Sequence, residues 1–113
     1  AVLREVVSQG LPERARRLGA EIRREIESWN LPVVQGVRGL GLLLGIGLNP
    51  EMVAAPEGKT IASVVVEALR QEGLLSVPAG PETVRLLPPL NVSEEEIQQA
   101  LAIIRRVLKT YAK

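Results

Sequence analysis

Val33-Val34-Gln35-Gly36-Val37-Arg38-Gly39-Leu40-Gly41-Leu42-Leu43-Leu44-Gly45-Ile46-Gly47-Leu48 is the stretch on which the fold turns. Val33 to Val37 and Leu42 to Leu48 are apolar runs rich in branched side chains, the composition of strands. Arg38-Gly39-Leu40-Gly41 between them reads as a hairpin turn, because two glycines at that spacing supply the positive φ angles of a tight reversal. In the second run Leu42, Leu44, Ile46 and Leu48 make one bulky face. The other face is nearly bare after Leu43, since Gly45 and Gly47 follow. A bare strand face lets another backbone or a helix approach closely.

Helical periodicity surrounds this hairpin. Upstream, Ala15, Leu18, Ile22, Ile26 and Trp29 form one apolar stripe on a helix of about five turns, with Pro12 in its first turn and Asn30 and Pro32 at its end. Its other face, with Arg14, Arg17, Glu21, Arg24 and Glu25, reads as solvated. Earlier still, Val2, Leu3, Val6 and Val7 have helical spacing with no capping residue before them, so the chain is expected to be a piece of something longer. Downstream, Asn49 to Lys59 is a loop, and Ile61, Val64, Val65, Ala68 and Leu69 make a second helix with Thr60 as cap and Gly73 as stop. Leu74 to Val77 and Thr83 to Leu87 are short strands joined by Pro78-Ala79-Gly80-Pro81-Glu82, and Pro88-Pro89 ends the ladder. Ser93 and Glu96 then form a capping box for a last helix that buries Ile97, Ala100, Leu101, Ile104, Val107, Leu108 and Tyr111. Amphipathic helices need a common apolar surface, and a small sheet provides it. The expected fold is α+β, a two-layer sandwich with a small, mostly antiparallel sheet covered by helices. Residues 1–30 are lead-in helices and 31–113 one compact unit.

Composition removes much chemistry. A chain of 113 residues, 46% hydrophobic and 24% charged, is one domain with a core of its own. With no His and no Cys it supplies neither a Ser-His-Asp nor a Cys-His nucleophile, and none of the usual zinc ligands. A net charge of +1 and only Trp29 and Tyr111 as aromatics give no basis for nucleic-acid binding. The longest apolar run, Leu42 to Leu48, is too short to span a membrane. Lys59, Lys109 and Lys113 all read as hydrated, so no catalytic nucleophile is assigned. The glycines around Arg38 fit neither GxxxxGK[ST] nor GxGxxG. Glu94-Glu95-Glu96 compensates a helix dipole rather than binding metal.

Arg85 stands apart. It lies between Val84 and Leu86 in an apolar strand, on one face with Thr83 and Leu87. A guanidinium there is a structural salt bridge, an outward-facing edge residue, or a bidentate ligand for a carboxylate.

Taken together, Val37-Arg38-Gly39-Leu40-Gly41-Leu42-Leu43-Leu44-Gly45-Ile46, Gly73-Leu74-Leu75, Pro78-Ala79-Gly80, Val84-Arg85-Leu86-Leu87-Pro88-Pro89-Leu90 and Ser93-Glu94-Glu95-Glu96-Ile97 resemble the C-terminal part of class III aminotransferases. Within that family the likeness is to the acetylornithine and ornithine branch, and it runs over essentially the whole chain. It implies the small C-terminal domain of a fold type I pyridoxal phosphate enzyme, with a large cofactor domain of the same polypeptide as partner, in a cytoplasmic homodimer. The family's Schiff-base lysine and most cofactor contacts have no counterpart here, so this chain alone is expected to bind no cofactor and to be inactive. By resemblance Arg85 binds a substrate carboxylate, Gly80 serves turn geometry and Arg38 is structural. The implied reaction moves an amino group between N-acetylornithine or ornithine and 2-oxoglutarate, in arginine biosynthesis. Other class III enzymes, acting on 4-aminobutyrate or a carrier-bound lysine, and a stand-alone α+β binding module remain as alternatives.

Overall fold

The computed structural model describes residues 11–40, 43–87 and 92–111. In chain order they form α1 (Leu11–Ser28), β1 (Val34–Leu40), β2 (Leu43–Leu48), α2 (Ile61–Gln71), β3 (Ser76–Pro78), β4 (Thr83–Leu86) and α3 (Glu94–Lys109). This is the order expected from the sequence. The short helical pattern at Val2 to Val7 and the Pro88-Pro89 stop lie outside the described residues.

Each helix follows from local chemistry. In α1 the stripe buries Leu18, Ile22 and Ile26, while Ala15 and Trp29 are only half-buried. The helix gives way at Asn30, whose φ of 52° is left-handed, a conformation asparagine tolerates well. On its polar face Arg23 and Glu27 pair at 3.6 Å. Arg14 departs from the solvated reading: it is half-buried, and its guanidinium donates to the Val92 carbonyl, tying α1 to the segment before α3. Thr60 caps α2 by accepting from the Ser63 N–H, and Gly73, at φ +97°, lets the Leu74 N–H return to the Leu69 carbonyl. The capping box of α3 is complete. The Glu96 N–H donates to Ser93 Oγ at 3.0 Å, and the Ser93 N–H donates to Glu96 Oε1 at 2.9 Å. These bonds to Ser93 hold the Glu96 carboxyl below the ordinary carboxylate range.

The strands form one antiparallel sheet in the order β1-β2-β4-β3. Val37, Ile46 and Val84 are cross-strand partners and fully buried, and Leu44, Leu48 and Leu86 extend that apolar face. The helical layer covers it: α1 packs on β1 and β2, α2 on β3 and β4, and α3 against α1 and α2. Leu18, Ile22 and Ile26 of the lead-in helix belong to the same core as Leu69, Leu101, Ile104 and Leu108. The architecture is the two-layer α+β arrangement, with the second face of the sheet left uncovered by the described residues.

The hairpin differs from its expected form. β1 does not stop at Val37 but runs on, pairing Arg38 with Gly45, Gly39 with Leu44 and Leu40 with Leu43, so the reversal falls beyond Leu40. Gly39 is therefore a strand residue. Its φ is +130°, and a Cβ built there would lie 1.8 Å from the Leu43 carbonyl oxygen, so only glycine lets the two backbones come this close. Near the other end of β1 a bulge between Val34 and Gly36 shifts the register. β3 begins at Ser76, because Leu74 is still engaged in closing α2.

Candidate functional site

The uncovered face of the sheet carries the charge. Arg38 on β1 pairs with Gly45 on β2, Gly45 pairs with Arg85 on β4, and Arg85 pairs with Val77 on β3, so the four residues make one row across the sheet. A parallel row holds Gly36, Gly47 and Thr83. Strands lie about 4.8 Å apart, which puts the Arg38 and Arg85 Cα atoms roughly 10 Å from each other. Between them Gly45 has no side chain, and a Cβ there would already press on the Thr83 methyl at 3.0 Å. The bare strand face foreseen in the sequence thus lies between two arginines, with no β2 side chain at Gly45 and the Thr83 methyl beside it.

Arg85 is exposed, but not at an edge: β4 is bonded on one side to β2 and on the other to β3. Among the described residues its guanidinium makes neither an ion pair nor a hydrogen bond, and the same holds for Arg38. The structural salt bridge considered for Arg85 is therefore not formed within the described residues. What remains is a permanent cation with a planar set of donors, mounted on a strand that is fixed from both sides. Such a group binds carboxylates bidentately. The row itself was not legible in the sequence, since only strand register brings Arg38 opposite Gly45 and so beside Arg85.

The remaining residues fall elsewhere. Gly80, at φ +101°, lies in the β3–β4 connection, which is closed by the Ala79 N–H donating to the Thr83 carbonyl. Lys59 and Lys109 are exposed, one before α2 and the other at the last residue of α3; Lys113 lies outside the described residues. Glu94, Glu95 and Glu96 are exposed in the first turn of α3. A recess of about 480 Å³ lined by Ile22, Leu74, Leu75, Leu86, Ile97 and Ile104 is apolar, and its one charged lining residue is Glu96, which would repel an anion. It is no rival to the arginine row for a carboxylate. Among the described residues no helix is long and apolar enough to cross a membrane.

The family model described as aminotransferase class-III matches residues 1–108. The chain belongs to the class III aminotransferases. It is 41% identical over 108 residues to the acetylornithine aminotransferase of Mycobacterium leprae, a match that covers 96% of this chain and 24% of that protein. It is 37% identical to the [LysW]-aminoadipate semialdehyde transaminase of Deinococcus radiodurans, across 96% of this chain and 23% of that one. Among solved structures, the Plasmodium falciparum ornithine delta-aminotransferase superposes with a TM-score of 0.81 at 27% identity, covering 97% of this chain and 27% of the other. The chain thus spans about a quarter of the length of each of these class III aminotransferases.

The family works with pyridoxal phosphate, and the residues described here do not fit that group. All thirteen acidic residues are glutamates, so no aspartate is present to face a pyridine nitrogen, and neither described lysine is withdrawn from water.

Proposed function

We propose that this chain is the carboxylate-gripping small domain of a pyridoxal phosphate-dependent aminotransferase, and that Arg85 binds a carboxylate of the amino-acid or 2-oxo acid substrate. One observation carries the reading: Arg85 holds an exposed guanidinium with no partner among the described residues, on an interior strand of a class III sheet. The amino group moves between N-acetylornithine or ornithine and 2-oxoglutarate, as in arginine biosynthesis; the mycobacterial and plasmodial relatives support that substrate class. A second reading, a carrier-bound aminoadipate semialdehyde, is favoured by the Deinococcus relative.

The rest of the enzyme supplies the Schiff-base lysine and the cofactor contacts, in a cytoplasmic homodimer. Pyridoxal phosphate, when bound there, would supply the electron sink for chemistry at the carbon that carries the transferred amino group. The role of this chain is orientation. Two parallel N–H···O bonds from Arg85 fix a carboxylate in direction as well as position, removing rotational freedom before reaction. The chain alone has no transaminase activity.

The test is Arg85→Gln in the full-length enzyme. Hydrogen bonds to a charged group contribute about 1.5–3 kcal/mol, so KM for the carboxylate substrates rises about 10- to 150-fold. The cofactor absorbance stays, because Arg85 does not hold the cofactor. Unchanged KM values would remove the assignment.

A further inference from the structure

We propose that Gly45 is a positioning residue for the Arg85 carboxylate site: its missing side chain leaves a low floor on which the paired guanidinium and carboxylate lie. The inference rests on the reading of Arg85 as a carboxylate ligand and adds the residue that makes room for it. A glycine inside a strand weakens it, and the physical reasons for one are few: a positive φ, a bulge, or a close approach by another backbone or by a ligand. The first two do not apply at Gly45. Among the described glycines, those with positive φ are Gly39, Gly58, Gly73 and Gly80. The register also runs unbroken through Gly45, which pairs with Arg38 on one side and Arg85 on the other. Nor does neighbouring backbone crowd it. Among the described residues, the backbone atom nearest to a Cβ built at Gly45 is the Val84 carbonyl oxygen, at an ordinary 3.9 Å, and the one closer atom is the Thr83 methyl at 3.0 Å, the end of a side chain that is able to turn. Gly39 is the contrast, since there the Leu43 backbone itself forbids a Cβ. What remains for Gly45 is an approach from above the uncovered face.

The two cross-strand neighbours of Arg85 say what approaches. On one side stands Val77, branched at Cβ, and on the other Gly45, with no side chain at all. An arginine stem rising from β4 therefore has room to lean over Gly45 and none over Val77. One strand spacing, about 4.8 Å, separates Arg85 from Gly45, which is within the reach of an arginine side chain, so the guanidinium comes to lie above the bare position. A bidentate arginine–carboxylate pair is flat. It fits against bare backbone, whereas a methyl or isopropyl group at position 45 lifts one side of it and spoils one of its two parallel hydrogen bonds. The Thr83 methyl, next to the same spot, borders this floor on the β4 side.

The experiment measures KM for the carboxylate substrates and thermal melting in the full-length holoenzyme carrying Gly45→Ala, Gly45→Val, Gly45→Ala with Thr83→Ser, and Gly47→Val. The last is the control: Gly47 lies on the same strand and face, one row away from Arg85, and a Cβ there makes only ordinary contacts. KM is expected to rise with side-chain size at position 45, about tenfold for G45V, the loss of one charge-assisted hydrogen bond. Melting holds or rises, because replacing a glycine of ordinary backbone conformation restricts the unfolded chain. That opposition between KM and melting is what a merely structural glycine would not give. G47V keeps its KM. Thr83→Ser removes the crowding methyl but not the new side chain, so G45A/T83S keeps the raised KM of G45A, and this pair decides the matter if G45V does not fold. A wild-type KM in G45V, a KM rise matched by a fall in melting, an equal rise in G47V, or a KM restored by Thr83→Ser overturns the proposal. Arg85→Gln is run in parallel: unchanged KM values there sink the Arg85 reading itself, whereas a raised KM in R85Q with none in G45V or G45A sinks only the role of Gly45.

Discussion

Gly39→Ala should be the most damaging single-methyl change in the hairpin. At φ +130° an L-residue is strained, at a cost of about 1–3 kcal/mol. The added Cβ would also lie 1.8 Å from the Leu43 carbonyl oxygen, whereas tolerable contacts begin near 3.0 Å, so β1 and β2 must part by more than an ångström. That movement loosens the neighbouring Arg38–Gly45 and Leu40–Leu43 pairs, whose ladder bonds contribute about 1 kcal/mol each. The combined loss is about 3–5 kcal/mol, a large fraction of the 5–15 kcal/mol that holds a typical domain. In a domain of this size it lowers Tm by about 10–20 °C. Gly73→Ala is the internal control. Its φ is +97°, but a Cβ there meets nothing within 4 Å, so strain alone acts and the loss is about 1 kcal/mol. Urea unfolding followed by circular dichroism measures both. If Gly39→Ala costs no more than Gly73→Ala, the close approach of β1 to β2 is not what demands glycine.

Other consequences are smaller and equally checkable. Ser93→Ala removes the side-chain half of the α3 capping box and lowers stability by about 1 kcal/mol in the same assay. Because the Ser93 bonds depress the Glu96 pKa, the Glu96 contribution is full above the ordinary carboxylate range and fades as pH falls through the lowered folded value. Glu96→Gln keeps an acceptor but removes that titration, so its stability relative to wild type should improve on acidification; a pH-independent difference would contradict the linkage. Ser76 is buried with its hydroxyl lacking a partner among the described residues, and Ser76→Ala should therefore be neutral or stabilising by about 1 kcal/mol, with a clear loss counting against the burial argument.

The fold was legible wherever one short segment contains its own reason. Ser93 and Glu96 announce α3 because both halves of the box lie within one turn, and the stripe Leu18, Ile22, Ile26 announces α1 because three- and four-residue spacing needs no distant partner. The β1 boundary was not legible. Gly39 has the composition of a turn, and only its pairing with Leu44 makes it part of a strand. Arg14 was misassigned to a solvated face for the same reason, since its acceptor, Val92, is far along the chain. The site divides similarly. Arg85 was conspicuous as a cation in an apolar strand, whereas its juxtaposition with Arg38 is a property of register, which hydrophobic patterning constrains only in parity.

A four-stranded sheet also has two rims, and here both are poor templates for another chain. On one side β3 is only three residues long and ends in Pro78, which has no N–H to offer. On the other, the bulge between Val34 and Gly36 bends β1 out of the flat geometry that strand addition needs. Growth of this sheet by edge-to-edge stacking, the usual route from a small β-layer to an aggregate, is thus discouraged at both ends, and contact with other polypeptide is directed to the face the helices leave uncovered.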